Sequence, residues 1–412
     1  MNLKSEQIRP DLSLEIAPDQ VLTPSQQQKE LIRFLGKEKC SIIELYGKKV
    51  FLYKEGKRNY ILLHRAISYL GGTGQHPIFK KRIQLPSWFK ELYLQIKKDK
   101  LNYDIRFIGI YHYKGAVVFA DFIKDTYIGK KVNNSSAHVY INDIYQALRN
   151  GVFHKEDSFG NHIYTIRANK LKDYLTGKVD GNNELFKLFE KFNFGFPFGQ
   201  WLSIFNAVKE MHDNGWSQWG QSEWAGWFLE YKFHGFTEQK GLTSLMKYTG
   251  LTNKSKKRNN FDFDIWFDKD NFYGDLKASD IAKKDTPAND IENFVECINM
   301  YDKFWYVIYE HDTQKDSEEN NYANVRKYNT YLRNTDEKFK NKDDLSYSRR
   351  LKTKVKFVKM TILELNRVNY REVLTVFNQG HQPDGSTRNP KYMIKKKDMD
   401  QYSVFRYTYM AK

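Results

Sequence analysis

Phe261-Asp262-Phe263-Asp264-Ile265-Trp266-Phe267, the polar turn Asp268-Lys269-Asp270-Asn271, and then Phe272-Tyr273-Gly274-Asp275-Leu276-Lys277-Ala278-Ser279 form the stretch on which the fold turns. Two aromatic-rich runs joined by turn-forming residues predict a pair of β-strands. Side chains alternate across a strand, which puts Asp262, Asp264 and Trp266 on one face and Phe261, Phe263, Ile265 and Phe267 on the other. By the same rule Asp275 and Lys277 emerge together from the second strand. Acids from two strands beside one lysine make a cluster of hard oxygen acceptors next to a single cation. A divalent metal would neutralise such a cluster, and a water could be activated there. Without one the carboxylates would repel each other. A solvated hairpin with surface charges is the bland alternative, and what surrounds the hairpin argues against it.

Upstream, Gln221 to Tyr231 reads as a tryptophan-rich helix within residues 216–233. Glu223 and Glu230 lie seven residues apart and so share one helix face. Trp224, Trp227, Phe228 and Tyr231 would cover much of this helix, and a buried glutamate needs a partner such as a metal cluster. The residue types do not choose between Glu223 and Glu230. The basic loop Asn253 to Asn260 contains Lys256, Lys257 and Arg258, which suit phosphate contacts ahead of an acidic site. Downstream the pattern predicts a helix (288–301), a strand (303–310), a hydrophilic helix (321–334), a strand (355–361) and a helix (370–378). A central sheet flanked by helices is the natural packing of that order. The turn-rich segment 381–390 holds Gln382 and Arg388, side chains able to read base edges, and Lys396 follows in a lysine run.

The spacing of Asp264, Asp275 and Lys277 resembles the PD-(D/E)xK nuclease signature found in type II restriction endonucleases, although Phe263 stands where that motif often has proline. The resemblance implies that Asp264 and Asp275 hold Mg2+ and that Lys277 positions or activates the attacking water. It also implies that a glutamate on the preceding helix, Glu223 or Glu230, supports the metal. Asp262 shares the face of Asp264, so the first acid stays open between the two. The implied activity is hydrolysis of double-stranded DNA at a specific sequence, by a dimer or by two successive nicks. The implied system partner is a cognate DNA methyltransferase. A repair, junction-resolving or transposition nuclease on the same core is the rival within the enzymes. A non-catalytic DNA-binding protein is the rival outside them.

The chain has 412 residues, enough for two or three cores, and a formal net charge of +17, which suggests a polyanionic partner. The excess is strong in residues 351–412, with 13 Lys+Arg against 5 Asp+Glu. Two distant cysteines, Cys40 and Cys297, exclude a disulfide scaffold and a cysteine-rich zinc module. No apolar stretch reaches membrane-spanning length and the start lacks a secretory signal, so a cytoplasmic protein is expected. Residues 1–24 read as a flexible lead, and 25–178 as a separate strand-rich α/β domain for DNA recognition. Residues 179–412 read as the nuclease domain with a basic C-terminal DNA-contacting segment. The expected fold class is α/β (α+β), with a restriction-endonuclease-like core built on a central mixed β-sheet.

Overall fold

Turn chemistry decides where several strands reverse. Tyr46 and Gly47 both take positive φ, 49° and 71°, as do Lys114 and Gly115 at 44° and 90°. Two consecutive left-handed residues give the tight reversal whose twist matches a β-ribbon. They close the hairpins of β3 (Cys40–Leu45) with β4 (Lys48–Glu55) and of β8 (Asp104–Tyr113) with β9 (Ala116–Phe122). The computed structural model describes residues 3–69, 76–122, 136–157, 160–181, 183–239, 241–250, 261–380 and 387–409. The chain divides into two units, Met1–Asn183 and Glu184–Lys412.

In the first unit, β5 (Arg58–Ala66), β11 (Val152–Glu156) and β12 (His162–Arg167) complete a seven-stranded sheet of order β11-β12-β9-β8-β5-β4-β3. Within it β5 and β8 run parallel, and the helix α2 (Ser87–Lys98) lies between them in sequence. The helices α1 (Pro24–Leu35) and α4 (Leu171–Leu175) cover one face through Leu31, Leu35 and Leu171. Phe89 and Leu92 of α2 and Ile144 of α3 (Ile141–Asn150) join the core of the other face. A smaller sheet has the order β10-β7-β6, from Ser136–Tyr140, Lys80–Gln84 and Ser68–Tyr69. Residues 4–18, read from sequence as part of a flexible lead, instead form a hairpin of β1 (Lys4–Ile8) and β2 (Leu14–Pro18). It is tied down because Ile8 is fully buried and its N–H donates to Tyr111 Oη at 2.9 Å.

The second unit is built around a mixed sheet of order β13-β19-β18-β16-β15-β14, with β22 also on β19. These strands are β13 (Leu202–Ser203), β14 (Lys247–Tyr248), β15 (Ile265–Phe267), β16 (Phe272–Asp280), β18 (Phe304–Gln314), β19 (Lys354–Leu365) and β22 (Ser403–Thr408). β16 and β18 are parallel, and the helix α8 (Ile291–Tyr301) makes the crossover between them. Asp290 starts that helix by accepting from the N–H groups of Glu292 and Asn293. Phe294, Cys297 and Ile298 of α8 pack on Tyr306 and Ile308, covering one face of the sheet. On the other face Phe189 of α5 (Glu184–Gly195) stacks on Phe233 of α7 (Trp224–Thr237) and meets Phe267, which packs on Trp305. α6 (Ile204–Asp213) packs beside α7, α9 (Ala323–Thr335) follows β18, and α11 (Met399–Tyr402) precedes β22. Gly274 permits the close spacing of β16 and β18: a Cβ there would lie 2.9 Å from the Trp305 carbonyl oxygen.

The expected helix at 370–378 is cut short. α10 spans Tyr370–Val373, and the chain then becomes β20 (Leu374–Phe377), which pairs with β21 (Lys391–Lys395), itself paired with β17 (Asp285–Asp290). A β-branched and aromatic run that finds an edge to pair with leaves the helix. The result is a mixed α/β chain of the α+β kind.

Candidate active site

β15 and β16 stay paired for three residues, Ile265 with Gly274, Trp266 with Tyr273 and Phe267 with Phe272. The turn between them ends on Asn271, at φ 55°. Ahead of Ile265 the ladder gives way to side-chain bonds. Asp264 Oδ2 accepts from the Leu276 N–H at 2.9 Å, while the Asp264 N–H donates to Asp275 Oδ1 at 3.3 Å. Short acidic side chains that take over backbone donors end a strand in this way. The expected seven-residue strand 261–267 is therefore only Ile265–Phe267, and its alternation breaks at Asp264. Phe261 and Phe263 join the core under α8, whereas Phe267 packs on Phe272 and Trp305 across the sheet. The four apolar residues do not share one face, contrary to the alternation read from sequence.

Where β15 peels away, β16 carries Asp275 and Lys277 on one face, opposite Tyr306 and Ile308 of β18. Asp275 is buried, and its Oδ2 forms an ion pair with Lys277 Nζ. The third wall comes from α7. Glu230 projects from it towards the two acids, and its Oε2 accepts from Tyr248 Oη of β14 at 2.6 Å. Gly250 closes this corner. A Cβ built on it would lie 2.4 Å from Tyr248 Oη and 3.2 Å from Asp264 Oδ1, so only glycine leaves that space open.

Three carboxylates share one lysine here, and their charges show it. Burial and then the negative charges of Asp275 and Glu230 push the Asp264 pKa well above the usual carboxylate range. Burial pushes Glu230 up to about 7, with Asp275 and Asp262 adding to the rise and the Tyr248 hydrogen bond and Lys277 opposing it. Burial alone would lower the Lys277 pKa, but Asp275, Asp264 and Glu230 outweigh it and hold the ammonium charged. Tyr248 is pushed up by its burial and by the acids beside it. The site is short of positive charge.

The donor chemistry fits Mg2+, which takes hard oxygen ligands, often one or two carboxylates, and keeps several waters. Asp264 and Asp275 would hold it. Among the described residues no three His, Cys, Asp or Glu side chains converge as a ready ligand set. The third acid read as a metal ligand, Glu230, accepts a hydrogen bond from Tyr248 beside the pair.

The structure also separates the paired alternatives. Asp262 is exposed, while Asp264 makes the backbone contacts to β16. Glu223 is exposed and precedes the first turn of α7, so the seven-residue spacing does not place it on the face of Glu230. Its charge acts on Tyr328, Lys342 and Lys352 instead. Of the side chains read as DNA contacts, Lys256, Lys257, Arg258 and Gln382 lie outside the described residues. Arg388 is exposed. Lys396 is not a surface contact: its side chain is 11% exposed, and Nζ meets Glu310 Oε1 at 3.0 Å and the Asp280 carbonyl at 2.6 Å. The buried Glu310 demands cations, and Lys359 supplies a second at 3.2 Å. Tyr248 and Gly250 were missed from sequence. A lone tyrosine two residues before a glycine carries no motif, and only the pairing of β14 with β15 brings it to Glu230.

A family described as Methylase-associated X1 matches residues 58–175. The match lies inside the first unit, away in sequence from the acidic site, and points to a restriction–modification setting. No curated protein and no solved structure matches the chain. No helix among the described residues is long and apolar enough to cross a membrane.

Proposed function

We propose that this protein is the sequence-specific endonuclease of a restriction–modification system, hydrolysing phosphodiester bonds of double-stranded DNA with Mg2+. The observation that carries the reading is the convergence of Asp264, Asp275 and Lys277 where β15 leaves β16, in a pocket of acids short of positive charge. That combination resembles the PD-(D/E)xK arrangement of the restriction endonucleases. The methylase-associated match supports the system, and a cognate DNA methyltransferase is the partner it implies.

Bound magnesium supplies a Lewis acid that neutralises phosphate charge and lowers the pKa of water. The chain's own groups do the rest. Lys277, held charged by its three acidic neighbours, donates to the water and to the phosphoryl oxygen on which charge grows. Asp264 is locked to β16 by its bond from Leu276, so its second oxygen is aimed without a search over rotamers. Glu230 orients a water from the helix side. The first unit takes the role of target recognition.

Incubating plasmid DNA with the protein and magnesium should give discrete fragments. Asp275→Ala and Lys277→Ala should each lower cutting by on the order of 100-fold or more while retaining DNA binding. Full cutting by both variants would overturn the site. Non-specific degradation would move the reading to a repair-type nuclease, and binding without any cutting to a non-catalytic DNA-binding protein.

A further inference from the structure

Tyr248 is a buried tyrosine with its hydroxyl on a half-buried carboxylate of the acidic site. Its Oη donates to Glu230 Oε2 at 2.6 Å, and its ring packs against Trp216 and His234, with centroids 5.9 and 5.6 Å away. The backbone on either side is fixed too. Tyr248 pairs with Ile265 in the β14–β15 ladder, and the next residue, Thr249, donates its N–H to the carbonyl of Asp264 at 2.8 Å. The strand that carries Tyr248 is therefore tied directly to the residue that supplies the first acid. Gly250 leaves the space beside the hydroxyl open towards Asp264.

A glutamate on a helix has three rotatable side-chain bonds, and beside two other carboxylates its lowest-energy course is to swing away from them. The Tyr248 hydroxyl is the one hydrogen-bond donor shown on the Glu230 carboxylate among the described residues. We propose that Tyr248 is a positioning residue: its hydroxyl holds Glu230 facing Asp264 and Asp275, and so sets the water that Glu230 orients. This rests on the nuclease reading above and adds a residue to it. In this proposal Tyr248 acts through Glu230.

Tyr248→Phe keeps the ring and its packing and removes only the hydroxyl. The expected result is a kcat for plasmid cutting lower by about 10- to 100-fold, the usual effect of removing a group that orients an active-site ligand. DNA affinity without metal should stay within about twofold of wild type. Because Tyr248 acts through Glu230, adding the substitution to Glu230→Gln should change the rate by less than about twofold. An unchanged kcat in Tyr248→Phe, or a full additional loss in the Glu230→Gln background, overturns the proposal. The 13C signal of the Glu230 carboxyl, assigned by its loss in Glu230→Gln, gives a readout independent of cutting. It should shift in Tyr248→Phe, and a signal that does not move also overturns the proposal. If Tyr248→Phe shows that shift and the wild-type protein cuts no DNA, the nuclease reading falls while the Tyr248–Glu230 pairing stands.

Discussion

Asp262 and Asp264 differ by two positions and by everything that surrounds them. Asp264 is placed among Asp275, Glu230 and Lys277 with its carboxylate on the backbone of β16, whereas Asp262 is exposed. Asp264→Asn should therefore lower cutting by on the order of 100-fold or more, and Asp262→Asn should leave it within a few-fold of wild type. The same pair should split in the opposite direction for stability. Asparagine keeps an oxygen for the Leu276 N–H and removes one of three carboxyl groups whose ionisation opposes that of the others. A rise in melting temperature of a few degrees is expected for Asp264→Asn at pH 8 in the absence of metal, and none for Asp262→Asn. Equal effects of the two on cutting would show that the local geometry does not select the acid.

At the scale of elements, the sheet of the second unit uses charge in two distinct ways. Where β15 peels from β16 the carboxylates are left short of cations, which suits a site. Near the other end of β16, Glu310 of β18 faces Ser279 and is neutralised by both Lys359 and Lys396. Lys396 also hydrogen-bonds the Asp280 carbonyl, so it joins the segment after β21 to the end of β16. That contact is structural. Lys396→Ala should destabilise the fold by about 1–3 kcal/mol in urea unfolding, since a buried partner is left short of its hydrogen bonds. It should leave the salt dependence of DNA binding unchanged, because no phosphate contact is lost. A shallower salt slope with unaltered stability would return Lys396 to the DNA interface.

At the scale of the whole molecule, burial holds four histidines among the described residues in the neutral form. Burial lowers His64, His138, His154 and His311 to about 4, helped by Arg65 at the first, Lys80 at the second, His162 at the third and Lys352 at the fourth. In the unfolded chain each titrates near 6.5. Their folded values are depressed, so on this account stability is fully present above about pH 6.5 and is lost as pH falls through about 4. Both units carry such histidines, His64 in the first and His311 in the second. Melting temperature should fall by several degrees between pH 7 and pH 5, and His311→Gln should flatten that fall for the second unit. A midpoint that does not move over this range would show that these histidines take up protons alike in the folded and unfolded protein.

The spacing of Asp264, Asp275 and Lys277, the turn between them and the helix-and-strand order around them were legible in the chain itself. These are local matters: β alternation, turn chemistry and helical period act over a few residues. Which members of each set meet in space was not local. Asp264 was separated from Asp262 by the point at which β15 leaves β16, and Glu230 from Glu223 by where α7 takes its first turn. Both boundaries depend on contacts with segments distant in sequence. The alternation over 261–267 misplaced its apolar residues for the same reason, because Asp264 trades ladder bonds for side-chain bonds to β16. Lys396 looked like a free cation until Glu310 was found beneath it. Tyr248 had no sequence signal at all. Only the packing of β14 against β15 decides that this tyrosine meets Glu230, since hydrogen bonding needs atoms within about 3 Å and the sequence separation of the two residues says nothing about that distance.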